Sequence, residues 1–212
     1  MKSSQDSHLL IPNILTSRKS IQKFQGGIRL SEELLAELIR LATYAPSTWN
    51  LQHWRFMVIQ NQDRKKRLFP IVYDQQQIID CSVAFLVLGD TQAHTKAEKI
   101  VNQAFRQGHC TAQMKEEQIK AIQEAYLEAG PEFRKEEAIR NASLAAMQLM
   151  LACRDKGLDT SILRFKTEEI RQELNIPSRY IPVMCICVGY AARAPKPSLR
   201  LPIEEIMIEE TF

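Results

Sequence analysis

Three short runs in the chain carry polar or basic residues where the surrounding pattern gives no packing reason for them. In Arg18-Lys19-Ser20-Ile21-Gln22-Lys23-Phe24, two adjacent cations and a hydroxyl precede an apolar alternation. Guanidinium, ammonium and O–H donors grouped in this way can hold a phosphate. The run from Ala45 to Trp54 sets Pro46, Ser47, Thr48, Asn50, Gln52 and His53 beside Trp49 and Trp54, between a helical pattern and a buried strand pattern. Hydrogen-bond donors next to aromatic surface suit a planar heterocycle with carbonyl and ring-nitrogen acceptors. The third run, Lys196 to Glu205, is a tail stiffened by Pro197 and Pro202, with Ser198 and the cation Arg200 near its middle. Taken singly, each has a plainer alternative: a solvated basic turn, a capped helix end whose tryptophans join the core, and an extended tail.

Other chemistries find no footing. The seven glycines, Gly26, Gly27, Gly89, Gly108, Gly130, Gly157 and Gly189, match neither G-x-G-x-x-G nor the P-loop spacing, and no serine lies in G-x-S-x-G. The four histidines never fall at H-E-x-x-H spacing and no C-x-x-C accompanies them, so no metal site is expected. The five cysteines, an odd number mostly inside apolar runs, suit a reducing compartment better than a disulfide framework. The net charge of +3 gives no general reason to expect nucleic acid or a membrane surface as partner. The longest apolar runs, Val83 to Leu88 and Val183 to Val188, fall far short of the roughly 18 residues of a membrane helix. Asp6, His8 and Pro12 stand where a signal peptide would be apolar. A cytoplasmic protein is expected.

The elements that must position these residues alternate between helix and strand. Ser31 reads as an N-cap followed by Glu32 and Glu33, and Leu34, Leu38 and Leu41 mark one face of a helix running to Ala45, where Pro46 stops it. Trp54 to Ile59, Val83 to Leu88 and Val183 to Val188 read as buried strands. Between Asp90 and Lys135 the pattern is charged and helical, Lys96 to Arg106 and Lys115 to Glu128, closed by Gly130-Pro131; it suggests a peripheral cap. Glu136 to Lys156 is an alanine-rich central helix stopped by Gly157, and Thr167 is placed as the cap of a short helix reaching Leu174. Cys185 and Cys187 share one face of their strand and read as core. One domain spans 1–212, in the α/β or α+β class, with the helical insertion at about 90–135.

Together, in this order and spacing, the runs resemble the nitroreductase family of FMN-dependent oxidoreductases. Its pattern R-[RK]-S-[IV]-[RK]-x-[FY] is met by Arg18, Lys19, Ser20, Ile21 and Phe24; P-S-x-x-N-x-Q-[PH]-W by Pro46, Ser47, Asn50, Gln52, His53 and Trp54; and R-x-P-[LI]-E-E by Arg200 to Glu205. The resemblance implies an α+β fold with a central mixed or antiparallel sheet flanked by helices, a long central helix and an intertwined homodimer holding FMN at the subunit interface. Arg18, Lys19 and Ser20, joined by Ser198 and Arg200 from the tail, would hold the phosphate. Pro46, Ser47, Thr48 and Asn50 would reach the flavin from the partner chain, and backbone groups around Ile162 and Leu163 would border the ring. FMN would accept hydride from NADH or NADPH and pass it to nitroaromatics, quinones or related electrophilic acceptors by a ping-pong scheme, with no catalytic side chain. Alternatives within the resemblance are an enone-reducing, dehalogenating or flavin-fragmenting enzyme, or a flavin-binding redox sensor with little turnover. The chain departs from the family at Gln22, where a second cation normally faces the N1/C2=O edge of the flavin. Arg164 is either the residue that restores this charge or a surface residue.

Overall fold

The computed structural model describes residues 10–195 and 197–211, so Lys196 and the first nine residues, with Asp6 and His8, lie outside the described residues. A four-stranded sheet in the order β1-β2-β4-β3 is built from β1 (Trp54–Ile59), β2 (Val83–Asp90), β3 (Asp159–Leu163) and β4 (Tyr180–Gly189). Every pairing is antiparallel, so of the mixed or antiparallel sheets expected the second is found. β2 is buried along its whole length, as its unbroken apolar run predicts for a central strand covered on both faces.

Helices cover both faces. They are α1 (Leu10–Ser17), α2 (Glu32–Ala42), α3 (Gln62–Leu68), α4 (Gln77–Asp80), α5 (Ala97–Arg106), α6 (Ala112–Glu128), α7 (Gly130–Asp155) and α8 (Thr167–Glu173). Ser31 caps α2 by accepting from the Leu34 N–H at 3.2 Å, and Asn61 and Thr111 cap α3 and α6 in the same way. One core layer joins Leu35, Leu38 and Ala42 of α2 to Ala142, Ala145, Ala146 and Leu149 of α7 and to Val83, Phe85 and Val87 of β2. Small residues allow the close approach: a Cβ on Gly89 would lie 2.7 Å from the Ala138 carbonyl oxygen. A second layer on the opposite face gathers Ile21 and Phe24 with Ile59, Leu86, Cys185 and Cys187. A third, smaller cluster of Leu51, Ala97, Val101, Ile122 and Tyr126 ties α5 and α6 to the loop before β1.

Several boundaries differ from the sequence reading, among them the start of α6 at Ala112 rather than Lys115. α2 ends at Ala42, and successive i→i−3 bonds carry the chain to Ala45. Gly130-Pro131 closes α6 but also starts α7, because proline needs no N–H partner in a first helical turn. Thr167 is the first residue of α8 and Lys166 occupies the cap position, without a side-chain cap bond. Gly157 does stop α7, at φ +74°.

Candidate functional site

The basic run after α1 is stitched between two strands. Ser20 forms a parallel bridge with Thr160 of β3, and Phe24 an antiparallel bridge with Ala191 just beyond β4. The Ile21 N–H donates to the Thr160 carbonyl at 3.0 Å, and the Ala192 N–H to the Lys23 carbonyl at 3.0 Å. Buried Ile21 and Phe24 pin the segment to the core, leaving Ser20 and Gln22 exposed and Arg18 and Lys19 half-buried. Neither Arg18 nor Lys19 takes part in an ion pair among the described residues. Asp159, at the start of β3, is already engaged by the Arg154 guanidinium at 3.1 Å and by the Ala191 N–H. Two cations without a counter-ion beside a free hydroxyl form a place for a dianion.

Beside this segment lies a cleft of about 350 Å³ lined by Ser20, Ile21, Gln22, Gln77, Ser161, Pro197 and Ser198. Its donors are three hydroxyls and two amides, it bears no carboxylate, and its volume falls in the range of about 300–1,000 Å³ usual for small-molecule sites. Next to it, Thr160 Oγ1 is buried without a hydrogen-bond partner. β3 is one of the two edge strands; Ser20 bridges it at Thr160, and farther along the side chain of Ile162 is 46% exposed while Leu163 turns into the core. An apolar residue on an edge strand beside hydroxyl and amide donors offers one flat face and one polar rim, the requirements of a phosphorylated planar heterocycle such as FMN. Ser198 thus sits with Ser20 in the cleft, whereas Arg200 is exposed and its Nη1 donates to the Leu199 carbonyl at 2.8 Å.

Pro46, Ser47, Thr48 and Asn50 do not line that cleft. They belong to a loop with left-handed backbone at Trp49, Asn50 and Gln52, with φ of 54°, 53° and 50°. Each such non-glycine residue costs about 1 kcal/mol or more, so the surroundings must enforce the shape. They do so through a set of polar contacts. Ser47 Oγ accepts from the Gln52 N–H at 3.0 Å, Asn141 Oδ1 on α7 accepts from the Thr48 N–H at 2.8 Å, and Lys96 Nζ donates to the Gln52 carbonyl at 3.2 Å. Asn141 is itself oriented by donating to the Glu137 carbonyl at 2.7 Å. His53 is fully buried, with Nε2 2.8 Å from the Tyr126 hydroxyl, and the Tyr126 ring stacks on His94 at 5.2 Å. Burial, the largest influence, brings the His53 pKa down to about 4, so the ring is neutral at pH 7. Burial likewise holds the Tyr126 phenol above its ordinary value, and the Glu137 charge adds to this.

The loop's other anchor is Asp90 at the end of β2. It is buried, accepts from Arg179 at 2.8 Å and from the Gln92 N–H at 3.0 Å, and faces Lys96 at 3.4 Å and Arg55 at 3.5 Å. Burial works against its charge, but these donors hold it below the usual carboxylate range. A larger cleft of about 450 Å³ lies behind the loop, between α2, β1 and α5. Two of its three cations, Arg55 and Lys96, are already committed to Asp90, so the smaller cleft has the better claim to a phosphate.

The structure places Arg164 outside the cleft. Its guanidinium lies over the Tyr73 ring, 5.1 Å from the centroid, and its carbonyl accepts from Gln75 Nε2. Of the two positions open to it, the surface position is the one seen. Sequence reasoning missed Gln77, which enters the cleft from α4 with no motif around it, and Arg193, whose Nη2 donates to Gln22 Oε1 at 3.4 Å. It also missed Glu137 and Asn141, although polar residues in an otherwise apolar stretch of α7 were a usable signal.

Comparison with known proteins follows the same lines. The family model described as "Nitroreductase family" matches residues 15–190. The Bacillus subtilis protein named "Putative NAD(P)H nitroreductase YodC" is 38% identical over 195 residues, 92% of this chain and 96% of that protein. A crystal structure of a "putative nitroreductase in complex with FMN" from Exiguobacterium sibiricum superposes with a TM-score of 0.89 at 32% identity, covering 94% of this chain and 96% of the other. The "CLA biosynthesis enone reductase" of Lactiplantibacillus plantarum is 29% identical over 87% of each chain.

Proposed function

The chain belongs to the nitroreductase family, and from that footing we propose that it is an FMN-dependent NAD(P)H oxidoreductase acting on nitroaromatics, quinones or related electrophilic acceptors. The observation that carries the proposal is the cleft at Ser20, Gln22 and Ser198, beside Arg18 and Lys19, which join no ion pair among the described residues, and beside the exposed Ile162 of edge strand β3. When bound there, FMN supplies the redox chemistry, taking hydride from the nicotinamide and giving it to the acceptor.

The residues of the chain bind and orient. Arg18, Lys19 and the Ser20 hydroxyl hold the phosphate, and Arg200 closes on it from the tail beside Ser198. Gln22 and Gln77 donate to the acceptors on the polar edge of the ring, and Ile162 with the backbone at Leu163 borders its flat face. Pro46, Ser47, Thr48 and Asn50 serve the site of a second protomer, for within one protomer none of them lines the cleft, and Asn50 opens onto a different hollow, shared with Trp49 and α5. The strained loop reaches its partner preformed, because Asn141, Lys96 and Asp90 fix it in advance. Donor and acceptor use one face of the ring in turn, which gives ping-pong kinetics. The five free thiols suit a reducing, cytoplasmic setting.

The similarity to an enone reductase favours a second reading in which the acceptor is an activated carbon–carbon double bond. Steady-state assays with NADH or NADPH against a nitroarene, a quinone and an α,β-unsaturated ketone separate the two. Parallel double-reciprocal lines with the first two acceptors support the main reading; turnover confined to the enone supports the second. Bound FMN that no pyridine nucleotide reduces overturns both.

A further inference from the structure

Gln22 and Gln77 give the cleft two neutral amides, and Arg164 is committed elsewhere, to Tyr73. The cleft is nevertheless not left without a nearby cation. The antiparallel bridge of Phe24 with Ala191, together with the bonds Gln25 N–H to Tyr190 carbonyl (2.8 Å) and Ala192 N–H to Lys23 carbonyl, sets residue 22 opposite residue 193. Side chains directly opposite across an antiparallel pair share a face. Arg193 Nη2 donates to Gln22 Oε1 at 3.4 Å, and Arg193 joins no ion pair among the described residues. With Oε1 so engaged, the Gln22 Nε2 is the end left to donate into the cleft.

We propose that Arg193 is a positioning and charge-supplying residue for the polar edge of the flavin, holding the Gln22 amide with its donor toward the ring and bringing the positive charge that the amide lacks. The inference rests on the reading of the cleft as an FMN site. The Arg193 guanidinium is a delocalised cation with a planar fork of donors. It favours the reduced, more negative flavin over the oxidised form and leaves the phosphate grip of Arg18, Lys19 and Arg200 untouched.

The test measures the affinity of the holoprotein for oxidised FMN and its midpoint potential by spectroelectrochemistry. In Arg193→Gln, oxidised FMN is expected to bind within about twofold of wild type, while the preference for reduced FMN drops about tenfold, the scale of one charge-assisted contact. Tenfold is a midpoint lower by about 30 mV for a two-electron couple. Arg193→Lys, which keeps the charge, should lie closer to wild type, and Gln22→Lys in the Arg193→Gln background should restore the potential. An unchanged midpoint in Arg193→Gln overturns the proposal, as does an equal loss of affinity for both redox forms, which would make Arg193 a phosphate ligand. A wild-type protein that takes up no FMN is seen before any variant is made, and it overturns the FMN reading itself.

Discussion

At the scale of the residue, the account depends on cations that join no ion pair among the described residues. Arg18 and Arg200 stand at opposite ends of the sequence, yet both are assigned to one phosphate. Each charge-assisted bond contributes about 1.5–3 kcal/mol, so Arg18→Ala or Arg200→Ala should weaken FMN binding by about ten- to a hundredfold. Fluorescence titration checks this, and wild-type affinity in both variants would remove the phosphate assignment. His53 supplies a pH dependence. Burial lowers its pKa from 6.5 to about 4, so between these values the unfolded chain takes up a proton that the folded chain does not. Stability should therefore fall as pH drops from 6.5 toward 4, by up to about 3 kcal/mol, and His94, lowered chiefly by burial as well, acts in the same direction. Urea unfolding of wild type and His53→Gln across this window should show a shallower slope for the variant; identical slopes would contradict the assignment. Arg18, Ser20, Ser47 and Arg200 stand out in the sequence as candidates because their motif spacing is local. Gln77 and Arg193 do not, since their places depend on α4 and on a strand register set by residues about 170 positions away in the chain.

At the scale of the element, the unbroken apolar runs became β2 and β4, because such a stretch has few options except a covered strand; Trp54 to Ile59 is a strand as read, but as β1 it lies at the sheet edge, with Trp54 and Ile59 buried and Val58 exposed. β3 escaped notice: it has five residues, Thr160 and Ser161 among them are polar yet buried, and its role comes from its place at the sheet edge. The start of α7 escaped too, for Glu132 and Lys135 precede the stretch from Glu136 that marks the rest of the helix. α3 is nearly all polar and is held by the Asn61 cap and by buried Leu68. The contact of α7 with β2 is the tightest constraint at this scale. Gly89→Ala would drive a Cβ to 2.7 Å from backbone of Ala138, and neither element can yield without disturbing the core layer that shapes the loop. Overpacking of this kind costs about 1–3 kcal/mol, a loss of about 2–12 °C in Tm for a chain of this size. Calorimetry reads it, and an unchanged Tm would mean that the helix is free to move away from the sheet.

At the scale of the whole molecule, apolar surface is left exposed among the described residues of one chain. Leu199 is 93% exposed and Leu201, Ile203 and Ile206 about 60% each, all on the tail, while Leu144 and Met147 of α7 also face outward. Surface of this extent calls for a partner, and the separation of Ser47 and Asn50 from the cleft calls for the same one. We therefore expect a homodimer whose FMN occupancy follows its assembly. Light scattering should give twice the 24.4 kDa of the chain, and dilution to monomer should release FMN; a monomer holding stoichiometric FMN would contradict the shared site. In the sequence the expectation of a dimer rests on the family resemblance alone, because a second copy leaves no periodicity of its own. The central claim, that the cleft carries an FMN through which a pyridine nucleotide reduces an electrophilic acceptor, is tested most directly by anaerobic titration of the FMN-loaded protein. Stoichiometric NADH or NADPH should bleach the flavin absorption, and one equivalent of a nitroarene or quinone per electron pair should restore it. A bound flavin that neither nucleotide bleaches, or that no acceptor reoxidises, would contradict the account.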